Sequence, residues 1–257
     1  MSSNPLAMKF DQHLPTDRLK PYIKYFVVSE QAFEREYKVF PSTALVMGFQ
    51  YKGQLSSIDG DNLYKLSSAG VTGITDRFKV FQNSADIGTV LVYFTEVGFT
   101  HFSAHPAHEL AALSLSLDAL FDPSSVAEVE EKLAAATGDR QRIRIVEQFL
   151  LNQLRDIETD QLIAQAIHLI YQRQGAIRIK ELNKQLCISA SPFEKRFRKV
   201  VGTTPKKFAD CWRSLIDLPA KSAKPSIDAT VPSTWLPKQT DQWTCWRFGC
   251  FCIADEA

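Results

Sequence analysis

No stretch of the 257 residues approaches the roughly 18 consecutive apolar positions that a bilayer-crossing helix needs, so no membrane partner is expected. The first residues, MSSNPLAMKFDQ, lack the basic and apolar regions of a secretory leader, which makes the cytoplasm the expected location. Cysteine is sparse, at 5 residues, and in that compartment reduced thiols are expected. Tryptophan is absent from the first 211 positions, and all 4 lie beyond them. There is no nucleophile elbow, phosphate loop, dinucleotide fingerprint or zincin helix, so neither an enzyme nor a cofactor is expected.

A large charge of one sign is also missing. The net charge is only +1, which would argue against a nucleic-acid partner if the charge were evenly spread. It is not: residues 1–170 hold 15 basic and 21 acidic residues, 171–213 hold 11 and 3, and 214–257 hold 4 and 5. The basic footprint falls on one short segment. Apart from that, 45% hydrophobic and 23% charged residues are ordinary for a soluble globular chain of two domains.

Within the basic segment, Ile179, Leu182 and Leu186 recur at helical spacing and predict one short amphipathic helix that shows Lys180, Glu181, Lys184 and Gln185 to water. After a turn at Cys187 to Ala190, Ser191 as N-cap, Pro192 at the first position and Glu194 at the third predict the start of a second helix. Phe193, Phe197, Val200 and Val201 share one face of it, and Gly202 ends it. Ser191, Lys195, Arg198 and Lys199 project from the other side, with Pro192 and Arg196 on the flank. Such a face suits the major groove of double-stranded DNA, and it is equally compatible with a plainly solvated basic helix.

ELNKQLCIS followed by FEKRFRKVVGTTPKKF resembles the first helix-turn-helix unit of AraC-type bacterial transcription regulators. The resemblance implies a core of Leu182, Leu186, Ile188, Phe193, Phe197, Gly202 and Pro205. It implies a DNA face drawn from Ser191, Pro192, Lys195, Arg196, Arg198 and Lys199. It differs at Asn183, where the family favours a small residue, and at Lys195, where it favours arginine.

Residues 20–105 carry short β-branched and aromatic runs, YIKYFVVSE, TALVMGFQYKG and GTVLVYFTEVGF, with turn residues about every ten positions and no helical crossover. This pattern predicts an antiparallel β barrel or sandwich, hence an α+β chain overall. FPSTALVMGFQYKG, VTGITDRFKV and VLVYFTEVGFTHFSAHPAHEL, in that order, resemble the cupin-like N-terminal domain of one AraC-type subgroup. That likeness implies an effector-binding or dimerising domain. Phe49, Tyr51, Phe81, Tyr93, Phe94 and Phe99 are candidates to line a pocket for a small-molecule effector, or else are plain core.

From Asp122 the texture turns helical, with starts expected at Asp122 or Ser124, at Asp139 and at Thr159. The first two helices either form a dimer contact or cover their own β domain. The third is expected to lay Ile163, Ile167 and Ile170 against the two motif helices. The expected division is 1–121 β, 122–157 helical linker and 158–213 helix-turn-helix. His101, His105, His108 and Glu109 have spacing unsuited to a metal, because Pro106 follows a strand and breaks any shared helical face; no metal is expected. Residues 214–257 lose helical periodicity and the family pattern, which is expected of an irregular tail, either frameshifted or that of a shortened relative lacking the second unit, with weaker DNA affinity. Cys245, Cys250 and Cys252 lack metal-ligand spacing.

The expected function is thus sequence-specific DNA binding for transcription regulation, with a homodimer, a small-molecule effector and, for an activator, RNA polymerase as further partners. The alternative is a small-molecule or protein-binding β module that no longer binds DNA.

Overall fold

The computed structural model describes residues 8–217, so the expectations for the tail beyond 217, including Cys245, Cys250 and Cys252, lie outside the described residues. The chain is α+β as predicted: ten antiparallel strands precede the main helices. Strands β1 (Lys9–His13), β2 (Ile23–Gln31), β4 (Val46–Lys52), β7 (Ala69–Thr72), β9 (Ile87–Phe94) and β10 (Ser114–Ser116) form one sheet in the order β1-β2-β9-β4-β7-β10. A second sheet orders β3 (Arg35–Val39), β8 (Lys79–Asn83), β5 (Leu55–Asp59) and β6 (Asn62–Lys65) as β3-β8-β5-β6.

Alternation along the three central strands explains the core. Phe26, Val92 and Met47 form one cross-strand rung, and Val28, Val90 and Phe49 form the next, all on the same face. The intervening Tyr25, Val27 and Tyr93 point the other way into a smaller cluster with Phe10, Val46 and Leu91. Both faces of β9 are therefore covered, which is why IGTVLVYF reads as a nearly continuous apolar run.

Helices α1 (Pro123–Ala135) and α2 (Asp139–Gln153) bury Val126, Val129, Leu133, Val146, Phe149 and Leu150. Phe149 meets Phe49 of β4 edge-on at 5.8 Å, so this pair covers the chain's own sheet, one of the two expected arrangements. A charged network locks it there. Lys9 reaches Asp139 at 2.8 Å, Tyr51 donates to Glu30 at 2.6 Å, and the Arg142 guanidinium lies 4.0 Å from the Tyr51 ring.

The chain then runs to α3 (Gln161–Gln172), α4 (Ile179–Gln185), α5 (Ala190–Val201) and α6 (Pro205–Asp217). Ile163, Ala166, Ile167 and Ile170 of α3 join Leu182, Phe193, Phe197, Val201, Phe208 and Ala209 in a core that is continuous with that of the β sheet. No helix among the described residues is long and apolar enough to cross a membrane.

Candidate nucleic-acid interface

Two helices and the turn between them build the site. Helix α4 stops at Leu186, and Cys187 takes a left-handed backbone with φ 51°, which lets its N–H reach the Lys184 carbonyl at 3.3 Å and that of Ile188 reach the Asn183 carbonyl at 3.1 Å. These paired bonds close the helix end, and the half-buried Ile188 packs back on the core.

Helix α5 begins two residues earlier than the sequence predicted. Its N-cap is Ser189, whose side chain makes no capping bond, and its first regular bond is from Phe193 N–H to the Ser189 carbonyl at 3.2 Å. Ser191 and Pro192 therefore lie inside the first turn. A proline is tolerated there because the first N–H groups of a helix have no intrahelical acceptor. For α3 the cap is likewise one residue off: Asp160, not Thr159, accepts from Ile163 N–H at 3.1 Å.

Phe193, Phe197 and Val201 are fully buried, while Ser191, Pro192, Lys195, Arg196, Arg198 and Lys199 are exposed. Phe197 meets Phe193 and Phe208 edge-on at 5.7 and 5.6 Å, which fixes the roll of α5 and so the direction of its basic face. Of the remaining motif residues, Leu182, Gly202 and Pro205 are buried and Leu186 is half-buried. Arg196 differs from its basic neighbours, because its guanidinium pairs with Asp160, the residue that caps α3. The pairing spans 36 positions and no local spacing announces it.

The end of α5 abuts the β region. Gly202 has φ 98°, and a Cβ there would lie 3.1 Å from the Ala107 carbonyl in a short 3-10 turn, Ala107–Leu110. Lys207 of α6 reaches Asp76 at 2.8 Å. Around this seam a space of about 130 Å³ lies between Thr43, Ile74, Thr203, Phe208 and Cys211, and burial pushes the Cys211 thiol up to about 11. A larger groove of about 460 Å³ runs between α1 and α2 along Val129, Ile145 and Phe149.

The six aromatics expected to line a pocket sit in three different places and line neither space. Phe49, Phe94 and Phe99 belong to the main core with Tyr51 packed beside them, Tyr93 faces the opposite side of the sheet, and Phe81 lies against Tyr37 in the second sheet at 6.1 Å. Strand alternation separates Tyr93 from Phe94, adjacent as they are in sequence.

The histidines are also separated. His101 is buried, stacked at 4.4 Å on Tyr22 and bonded through Nε2 to the Thr159 hydroxyl at 3.1 Å, whereas His105 is exposed near Glu109. Burial, and secondarily the charge of Arg155, hold the His101 imidazole below its ordinary range. Among the described residues no three metal-capable side chains gather.

The fold and this site define an antiparallel β region followed by helices, two of which, α4 and α5, are joined by a tight turn. Residues 11–116 match a family described as "Domain of unknown function (DUF6597)". The chain is similar to apo ToxT from Vibrio cholerae strain SCE256, at 11% identity over 75% of this chain and 82% of that one, with a TM-score of 0.43. It is similar to the AraC-like transcriptional activator CuxR at 14% identity over 84% and 88%, with a TM-score of 0.29. A further ToxT structure from Vibrio cholerae O395, bound to (E)-4-(8-methylnaphthalen-1-yl)but-3-enoic acid, matches at 12% identity over 79% and 99%, with a TM-score of 0.27. No curated protein matches the chain.

Proposed function

We propose that this chain is an AraC-type, sequence-specific DNA-binding regulator of transcription. In this reading residues 158–213 are the reader and residues 1–121 are an effector or dimerisation domain joined to it by 122–157. One observation carries the reading: α5 buries Phe193, Phe197 and Val201 completely while Ser191, Lys195, Arg198 and Lys199 stand exposed on the opposite face. Three cations at i, i+3 and i+4 on a helix whose roll is fixed by its core can meet phosphates and guanine acceptors in one major groove.

Arg196 is assigned away from that face, because it lies on the flank of the helix with its Nε held by Asp160. The β domain has no assigned ligand; a small-molecule effector, a second copy and, for an activator, RNA polymerase are the partners this reading calls for. Footprinting of the full chain on the region upstream of its own gene tests it. A protected segment that disappears on Lys195→Ala supports the reading, and unaltered protection in that variant refutes the assignment of this face.

A further inference from the structure

Glu96 lies two residues past the end of β9 and is only 9% exposed. Its Oε1 accepts from Lys24 Nζ of β2 at 2.5 Å and from the phenol of Tyr171 on α3. The Thr43 hydroxyl bonds to the same phenol, and burial, followed by the Glu96 charge, raises the Tyr171 pKa well above its usual range, so the phenol stays protonated and able to donate.

The Tyr171 ring in turn stacks 4.0 Å from Trp212 and 5.8 Å from Phe208, both on α6. Phe208 is the side chain that meets Phe197 of α5. A single carboxylate from the β domain thus grips a chain of rings that ends under the basic helix. Glu96 follows the strand that lies between β2 and β4 in the centre of the first sheet, so a displacement of β9 moves the anchor.

We propose that Glu96 is a positioning residue that latches the helix-turn-helix unit to the β domain through Tyr171, and that release of this bond is the step by which a change in the β domain reaches α5. The latch itself is a statement about the free protein; only its consequence for DNA rests on the function proposed above.

Hydrogen exchange of the full chain tests it without DNA, so its failure is distinguishable from a failure of DNA reading. Tyr171→Phe keeps the ring and its stacking and removes only the hydroxyl; Glu96→Gln keeps the shape and removes the charge. Amides of α3 and α6 are expected to exchange roughly tenfold faster or more in Tyr171→Phe, as for loss of a hydrogen bond to a charged group, with β2 and β9 unchanged, and faster by a smaller factor in Glu96→Gln, which also removes the charge partner of Lys24 on β2. The double variant is expected to match Tyr171→Phe alone, because that change removes the bond that Glu96→Gln only weakens. Unchanged exchange in α3 and α6, fully additive acceleration in the double variant, or equal acceleration in the strands would overturn the latch.

Discussion

Single side chains carry most of the weight in the proposed reader. Phe197 is fully buried between Phe193 and Phe208, so Phe197→Ala is expected to destabilise the protein by about 3–5 kcal/mol in denaturant unfolding. Cys187 holds a left-handed backbone that ordinarily favours glycine, and it is exposed. Cys187→Gly should therefore raise stability by roughly 0.5–1 kcal/mol, while the same change at a right-handed helical position would lower it. His101 sets a pH dependence of known sign. Its folded pKa lies below that of the unfolded chain, so the unfolded state binds the extra proton first and stability falls as pH drops from about 6.5 toward the folded value. Replacing His101 by Gln should flatten stability over that window in thermal melts; an unchanged pH profile would show that the imidazole stays charged or titrates as in the unfolded chain.

At the scale of elements, the two N-caps make opposite demands. Ser189 makes no side-chain cap, so Ser189→Ala is expected to change stability by less than about 0.5 kcal/mol. Asp160 both caps α3 and pairs with Arg196, so Asp160→Ala should lower stability by roughly 1–2 kcal/mol in the same assay. The periodicity of Phe193, Phe197 and Val201 made the buried face of α5 legible in the sequence, because a 3.6-residue repeat states which side meets a core. Its start is not legible there, since Ser191 and Pro192 are as acceptable inside a first turn as at its boundary. The strands β2, β4 and β9 were legible from their apolar runs, but which residues share a face after folding was not, and so the aromatics expected around a pocket were dispersed. Pairings such as Arg196 with Asp160 and Glu96 with Tyr171 were invisible, because each depends on how distant elements pack.

For the whole molecule, the consequence is a helical region that does not hang freely from the β domain. One apolar core runs from Phe26 and Val90 of the sheet through Phe102 and Ala107 to Phe193 and Phe208. Calorimetry of the full chain is therefore expected to show a single cooperative transition, and two well-separated transitions would contradict a shared core. Because the segregated basic charge of 171–213 sits on a body that is otherwise net acidic, DNA affinity should depend steeply on salt. The most direct test of the central claim is the slope of log affinity against log salt for the upstream duplex, measured on the full chain and on Lys195→Ala, Lys199→Ala and Arg196→Ala. The DNA-facing assignment predicts that the first two each reduce the slope by about 1, whereas Arg196→Ala leaves it unchanged. Equal slopes in all four proteins, or no binding at the lowest salt, would contradict it.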